Sequence, residues 1–313
     1  MTGFRRLAAL LLAALALLSG VTACATRQHT SAKAPADDPA AAFPVKVEVP
    51  GQQPVTLVNQ PKQIVSLSPT ATETLYAIGA GDQVVAVDKY SNHPADAPKT
   101  ELSGFTADAG AVAQQKPDLV IAPDNAQQLA EGLRAIDVPV LLTPAAKNLD
   151  EAYQQIEALG QASGHGTQAE ALTGKMRRQI DEIVRNTPKP PQPLTYFHEV
   201  NPDLYTATSR SFVGSVYDLF GMQNIADSAE GEFPQLSAEH VVQANPNLIF
   251  LADTKCCGVT KAKVGERPGW GTLDAVQQDH VVELDDDVAS RWGPRVVDLV
   301  RAVSKAVTKA QRG

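Results

Sequence analysis

A short segment occurs twice in the chain, and this repeat limits the folds that the chain can adopt. Residues 112–124 (VAQQKPDLVIAPD) match residues 241–253 (VVQANPNLIFLAD) at one constant offset. In each copy a proline follows a short helical stretch and precedes an apolar run, which is where a helix ends and a strand begins. A repeated helix–strand element that ends in aspartate both times predicts two similar α/β lobes with a cleft between them.

Apolar runs alternate with helical stretches in two regions of the chain, one before residue 148 and one after residue 189. Continuous apolar runs of this kind are typical of parallel strands that are covered on both faces. Residues 148–189 interrupt the alternation, because two helical stretches follow one another there. The second carries an apolar stripe at helical spacing and has a length of roughly 30 Å. The predicted fold class is α/β, with an N-terminal lobe (44–147) and a C-terminal lobe (190–313), each with a mostly parallel sheet, bridged by one long backbone helix.

The first 23 residues have the features of a bacterial export signal. A basic start is followed by an apolar run over residues 7–18, and small residues precede Cys24. The run is too short to span a bilayer, which needs ~20 apolar residues. Residues 21–24 (VTAC) resemble the lipobox of bacterial lipoproteins, which predicts lipidation at Cys24; an ordinary signal peptide that ends near a cysteine is the alternative. Residues 24–43 predict a flexible tether to the outer face of the cytoplasmic membrane.

Composition and charge argue against several classes of function. The chain has 35 acidic and 27 basic residues, a net charge of −8, and no basic block that follows a nucleic-acid backbone. Zinc-binding cysteine and histidine motifs, Walker A, G-x-G-x-x-G and G-x-S-x-G are all absent from the sequence. His198 and Glu199 are candidates for acid–base chemistry or for a haem-iron ligand, with ordinary hydrogen bonding as the simpler interpretation. We expect no enzyme activity, no catalytic residue, no bound metal and no cofactor.

Four segments together resemble one family of transport proteins. Residues 63–81 (QIVSLSPTATETLYAIGAG) are similar to the opening of the substrate-binding proteins of ABC importers for cobalamin, haem and ferric siderophores. Residues 116–121 (KPDLVI), 267–270 (RPGW) and 293–295 (GPR) fit the same family in the same order. The resemblance implies two lobes bridged by a long helix, a monomer, and an ABC permease with its ATPase as partners.

Several side chains match ligand contacts in cobalamin-binding members of this family. The resemblance implies ligand contacts from Tyr90, Phe105, Tyr205, Phe233 and Asp287. Aromatic faces stack on planar macrocycles at low entropic cost, although loop aromatics also serve as lids on their own lobe. Trp292 and Arg295 follow soon after, and an arginine beside an aromatic ring suits propionates, phosphates or acidic siderophores. We include both as candidate ligand contacts; the alternative is that Arg295 lies on a helix surface.

The resemblance also implies a docking surface. In the family one acidic residue per lobe meets arginines on the permease. Glu239 occupies the second-lobe position, but the first-lobe position holds Gly110, which leaves Asp108 as the nearest substitute. The alternative for Glu239 is an acidic residue that stabilises the first turn of a helix. Glu73 completes a capping-box pattern with Thr70, which predicts a purely structural role.

Cys256 and Cys257 are adjacent and follow an apolar run. In an oxidising compartment they are candidates for a vicinal disulfide that makes the rim of the cleft rigid. Free thiols are the alternative, and metal binding by two adjacent thiolates is the least favoured interpretation. The long-range disulfide of the family cannot form here.

These observations predict a lipid-anchored binding protein that captures a corrinoid outside the cytoplasm and delivers it to an ABC importer. The alternative ligands are a ferric siderophore or haem. More remote alternatives are a ligand-sensing receptor and a hydrolase with its site in the cleft.

Overall fold

The computed structural model describes residues 43–106 and 108–312. The predicted signal peptide, the predicted lipidation site at Cys24 and residues 24–42 of the predicted tether lie outside the described residues. Within the described ranges, no helix is both long enough and apolar enough to cross a membrane.

The first lobe is a parallel sheet with a small hairpin beside it. The hairpin pairs β1 (Val45–Val47) with β2 (Val55–Leu57) in antiparallel register. The sheet has the order β4-β3-β5-β6, and every neighbouring pair in it is parallel. Its strands are β3 (Ile64–Ser66), β4 (Val84–Val87), β5 (Leu119–Pro123) and β6 (Val140–Thr143). All side chains of β3 and β6 are buried, which explains why these runs contain no alternating polar positions.

The described residues of this lobe form the helices α1 (Pro69–Ala77), α2 (Ala109–Ala113) and α3 (Gln127–Arg134). The predicted capping box at the start of α1 is wrong. Ser68 is the N-cap, its hydroxyl accepts a hydrogen bond from the Ala71 amide, and Pro69 is the first helical residue. The side chain of Glu73 is therefore free of a capping role and forms contacts with the other lobe.

The two lobes are joined by α4 (Leu149–Ser163) and α5 (Gly166–Asn186). Asn148 caps the start of α4, and Gly164 ends it in the left-handed region at φ 79°. The 21 residues of α5 give a helix of ~30 Å. Met176 and Ile180 are buried where α5 packs on its neighbours. This confirms the predicted backbone helix.

The second lobe has a parallel sheet with the order β10-β9-β7-β8. Its strands are β7 (Thr195–Glu199), β8 (Gln223–Asn224), β9 (Leu248–Leu251) and β10 (Val281–Glu283). Its helices are α6 (Phe212–Asp218), α7 (Ala238–Ala244), α8 (Thr254–Cys257), α9 (Lys261–Gly265), α10 (Asp274–Gln277), α11 (Asp286–Ser290) and α12 (Val296–Ala310). Because α12 packs on α5, one continuous core runs through both lobes and the linker. The predicted two-lobed α/β fold is confirmed.

The sequence repeat has the same structure in both lobes. Lys116 (φ 53°) and Asn245 (φ 43°) occupy equivalent repeat positions, and both lie in the left-handed region between a helix and a strand. In each lobe, the side chain of the residue after the proline accepts a hydrogen bond from the backbone at the start of the neighbouring strand. The Asp118 carboxylate accepts a hydrogen bond from the Gln63 amide at 2.9 Å, and the Asn247 side chain accepts one from the Thr195 amide at 2.8 Å.

Candidate functional site

Four aromatic side chains are exposed in the described part of the chain, and all four follow the carboxyl ends of parallel strands. The exposed fractions are 48% for Tyr90, 73% for Phe105, 41% for Tyr205 and 53% for Phe233. Tyr90 and Phe105 lie in the segment after β4, whereas Tyr205 follows β7 and Phe233 follows β8. Exposed rings are costly to hydrate, and all four lie at this edge of the sheets, which makes this edge the candidate ligand-binding surface.

The first-lobe rings form a contacting pair. The centroids of Tyr90 and Phe105 are 6.0 Å apart, and the rings meet edge to face at 76°. Asp88, which is buried in the same segment, accepts hydrogen bonds from the amide and the hydroxyl of Ser91 at 3.0 and 2.6 Å. Burial raises the pKa of the Asp88 carboxyl, and its hydrogen bonds with Ser91 oppose that rise. The Lys89 amide also donates to the Leu102 carbonyl at 2.9 Å, which ties the two parts of this segment together.

The second-lobe rings lie on an irregular antiparallel ribbon. Tyr205 pairs with Gln235, and the Thr206 amide donates to the Pro234 carbonyl at 2.9 Å. In this register Tyr205 and Phe233 are diagonal neighbours on one face of the ribbon. We call these four residues the aromatic surface: Tyr90 and Phe105 of the first lobe, and Tyr205 and Phe233 of the second.

Arg210 holds the segment that leads to Phe233. Its guanidinium group donates to the carbonyl oxygens of Asp227, Ala229 and Gly231 at 3.2, 2.6 and 2.5 Å. Three acceptors on one planar cation fix the path of the backbone over these residues. The position of the Phe233 ring therefore depends on a side chain that is not itself aromatic.

A network of ion pairs and hydrogen bonds connects the lobes. Glu73 of α1 is almost fully buried, and both of its oxygens accept hydrogen bonds from arginines of the other lobe. Arg295 donates to it from Nε at 2.8 Å and from Nη2 at 2.6 Å, and Arg291 donates from Nη1 at 2.7 Å. Arg291 also contacts Asp287 at 2.6 Å, and the Asn92 amide donates to Asp287 at 2.9 Å. We call these five residues the interlobe bridge.

The bridge also reaches the aromatic surface. Arg291 Nη2 donates to the backbone carbonyl of Tyr90 at 3.1 Å, and Nη1 donates to the Asn92 side chain at 2.8 Å. Asp287 and Arg295, two of the predicted ligand contacts, are thus engaged across the lobes in this structure. Their contact with a ligand stays a prediction.

Trp292 follows Arg291 in the chain and contacts the linker helix α4. Its ring nitrogen donates to the Gln155 side chain of α4 at 2.9 Å, and its ring lies 6.4 Å from that of Phe212. The side chain is half-buried. A ligand contact from Trp292 also stays a prediction.

The two predicted docking residues lie at the starts of equivalent repeat helices. Glu239 is exposed in the first turn of α7, beside a groove of about 680 Å³ that is also lined by Leu204, Val242 and Trp270. Asp108 is exposed and is the N-cap of α2, where it accepts a hydrogen bond from the Ala111 amide at 3.1 Å. The exposure of these two residues does not show contact with a permease, so docking stays a prediction.

Cys256 and Cys257 lie in α8, immediately after β9. The structure joins them by a disulfide with Cα atoms 3.8 Å apart. Both residues are exposed. Oxidation of this pair in solution stays a prediction that is tested below.

Sequence patterns did not indicate a buried charged cluster in the second lobe. Arg267 forms a two-pronged ion pair with Glu199 at the end of β7, with N–O distances of 2.6 and 2.5 Å. Asp253 is fully buried nearby. Burial, followed by the charge of Glu199, raises the pKa of Asp253 to about 7. For Asp253 itself, the sequence signal is its position at the end of the second copy of the repeat.

His198 is enclosed in β7 and does not line the cleft. Its Nδ1 lies 2.8 Å from the Tyr217 hydroxyl, and burial lowers its pKa to about 4. The ring is therefore neutral near pH 7 and has no access to a ligand. Across the described ranges, no group of histidine, cysteine and acidic side chains is arranged to hold a metal ion.

Comparisons with known proteins agree with this architecture. Residues 64–288 match the family described as periplasmic binding protein. The chain is 31% identical over 309 residues to the uncharacterized ABC transporter substrate-binding lipoprotein YvrC of Bacillus subtilis, an alignment that covers 96% of this chain and 95% of YvrC.

Solved structures of two named binding proteins have similar folds. The periplasmic vitamin B12 binding protein BtuF of Vibrio cholerae superposes with a TM-score of 0.69 at 30% identity, covering 81% of this chain and 99% of BtuF. The apo periplasmic heme-binding protein RhuT of Roseiflexus sp. RS-1 gives a TM-score of 0.72 at 25% identity, covering 80% of this chain and 99% of RhuT. The chain therefore belongs to the periplasmic binding protein family, and it is an extracytoplasmic substrate-binding protein of the kind that serves ABC importers.

Proposed function

We propose that the chain captures a corrinoid, cobalamin, between its lobes and delivers it to an ABC importer. The observation that carries this proposal is the aromatic surface, because its four exposed rings all lie at the carboxyl edges of the two sheets. A corrin is a broad and nearly flat macrocycle with apolar faces. Rings from both lobes bury such faces with little loss of side-chain entropy, since each has few rotatable bonds.

The charge of the interlobe bridge favours a neutral ligand. Arg291 and Arg295 are paired with Glu73, and Arg291 is also paired with Asp287, so two cations are balanced by two carboxylates. A haem or an acidic siderophore carries carboxylates that need an unpaired cation on the protein. Recruiting both arginines would leave Glu73 buried and unpaired, and recruiting one would remove part of the pairing that offsets its burial; both changes are unfavourable. The amide groups around a corrin require only neutral hydrogen-bonding partners.

The relatives support the same ligand class. BtuF, whose name assigns it vitamin B12, aligns with most of this chain. RhuT, whose name assigns it haem, has a similar fold at lower identity and supports haem as the alternative ligand. We infer that delivery uses a permease with its ATPase, that Glu239 and Asp108 contact the permease, and that a lipid on Cys24 holds the protein at the membrane.

Calorimetric titration of the full chain in detergent micelles tests the ligand. The probes are cyanocobalamin, haemin and a ferric hydroxamate siderophore, each injected into the same preparation. We expect saturable one-to-one binding of cyanocobalamin with a Kd below about 1 μM, and binding at least about 100-fold weaker for the other two. If haemin or the siderophore binds tightly and cyanocobalamin does not bind, then the corrinoid proposal is wrong and the ligand belongs to the class that binds. Binding of none of the three would contradict the proposal.

A further inference from the structure

The disulfide between Cys256 and Cys257 lies at the edge of the second lobe that carries the interlobe bridge. The helix that contains it, α8, follows the carboxyl end of β9, and α11 with Asp287 follows the carboxyl end of the neighbouring strand β10. Both cysteines are exposed, so an external thiol reaches them without unfolding the lobe. Exposed disulfides of this kind are the ones open to exchange.

One carboxylate links α8 to α11. Asp286 accepts hydrogen bonds from the backbone amides of Thr254 at 2.9 Å and Cys256 at 2.8 Å, and from the Lys255 amide at 3.0 and 3.1 Å. The Thr254 hydroxyl donates to the same carboxylate at 2.8 Å. Three consecutive amides converge on Asp286, so its position depends on the backbone conformation of the cysteine segment.

The next residue belongs to the bridge. Asp287 accepts hydrogen bonds from Asn92 of the first lobe at 2.9 Å and from Arg291 at 2.6 Å, and Arg291 binds Glu73. Lys255 adds a second connection, because its ammonium group contacts Asp285 at 2.7 Å and Asp287 at 3.4 Å. A continuous series of short polar contacts therefore runs from the cysteine segment to the first lobe.

We propose that Cys256 and Cys257 form a reversible thiol–disulfide site whose oxidation state controls the interlobe bridge. A dithiol reductant donates two electrons and two protons: its two S–H groups become one disulfide, and the Cys256–Cys257 S–S bond is replaced by two thiols. The bond restricts the backbone of both residues, and reduction restores that freedom. The amides then converge less closely on Asp286, and α11 holds Asp287 and Arg291 less firmly against the first lobe.

Hydrogen exchange measured by mass spectrometry tests this proposal without any ligand. The protein is the full chain in detergent micelles with Cys24→Ala, so that Cys256 and Cys257 are its only cysteines. Alkylation after treatment with a disulfide oxidant, and again after dithiothreitol, counts the free thiols. On reduction we expect amide exchange over residues 285–292 and 88–92 to quicken by about tenfold, with no change in the buried strands β5 and β9.

Two variants separate a specific link from a general loss of stability. Cys256→Ser with Cys257→Ser should exchange like the reduced protein and should not respond to dithiothreitol. Asp286→Asn should exchange faster over residues 285–292 in both states, because the carboxylate that links α8 to α11 is lost. The proposal is overturned if reduction leaves exchange unchanged over both segments, or if both thiols remain free after oxidation. Since no ligand is added, neither result depends on the proposed function.

Discussion

Arg295 of the second lobe holds Glu73 of the first lobe through two hydrogen bonds, from Nε at 2.8 Å and from Nη2 at 2.6 Å. The Glu73 side chain is 2% exposed, whereas that of Arg295 is 23% exposed. Hydrogen bonding to Glu73 raises the pKa of the Arg295 guanidinium, so Arg295 stays charged throughout the neutral range. A buried carboxylate that depends on the other lobe for its partners joins the two lobes directly.

Glu73→Gln should lower the free energy of unfolding by about 3 kcal/mol, because two partly buried arginines lose their shared partner. Urea denaturation followed by circular dichroism measures this change. Glu48→Gln is the matched control, since Glu48 pairs with Lys46 on the surface at 68% exposure and should change stability by less than about 1 kcal/mol. Equal effects of the two substitutions would contradict the assigned role of Glu73.

Asp253→Asn should change how stability depends on pH. The folded-state pKa of Asp253 is raised to about 7 from its ordinary 3.8. The folded protein therefore retains a proton that the unfolded chain releases, and stability falls as pH rises between these two values. The variant keeps a neutral side chain, so it should lose this fall and exceed the wild type by about 2 kcal/mol at about pH 8.

Thermal unfolding across this pH range measures the difference. Asp203→Asn, at an exposed position, is the control and should retain the pH dependence of the wild type. If Asp253→Asn also retains the wild-type slope, then Asp253 ionises normally and the assignment is wrong.

Arg210→Ala should weaken cyanocobalamin binding by about tenfold without any direct loss of a stacking ring, because the segment before Phe233 loses three hydrogen bonds to one cation. Arg210→Lys should restore little, since an ammonium group cannot match the planar fork of the guanidinium. Calorimetric titration gives both affinities. If Arg210→Lys binds cyanocobalamin as tightly as the wild type does, then Arg210 acts through its charge and not by fixing the position of the segment.

Glu239→Lys should reduce uptake by the cognate importer by about tenfold or more, because an exposed acidic contact is replaced by a cation. Its affinity for the ligand should not change, since the residue lies in the first turn of α7. Uptake of labelled cyanocobalamin into vesicles that contain the importer measures the effect. Glu131→Lys, at an exposed position of α3, is the charge-matched control. A transport defect of the same size in both variants would exclude a specific docking role for Glu239.

Much of the fold was predictable because its signals are local. The two repeat copies indicated one helix–strand element in each lobe, and uninterrupted apolar runs such as β9 indicated strands that are buried on both faces. The four candidate aromatic residues are exposed at one edge of each sheet, where a family resemblance led us to expect a ligand.

The interlobe bridge was not predictable from local pattern. Glu73 has the spacing of a capping box with Thr70, but Ser68 supplies the cap, and the partners of Glu73 lie 218 and 222 positions further along the chain. Burial and long-range pairing also decide the environment of His198, whose partner Tyr217 belongs to a different element. Such contacts depend on how the lobes pack, which a single sequence does not display.

The central claim is that aromatic rings from both lobes hold the same ligand. The most direct measurement is calorimetric titration of cyanocobalamin into the wild type, Tyr90→Ala, Phe233→Ala and the combined variant. Ile136→Ala is the control, because Ile136 is 54% exposed, like Phe233 at 53%, and lies outside the aromatic surface. We predict that each single variant loses about 1 kcal/mol of binding free energy and that the combined variant loses at least the sum. Unchanged affinity in the combined variant would contradict the claim.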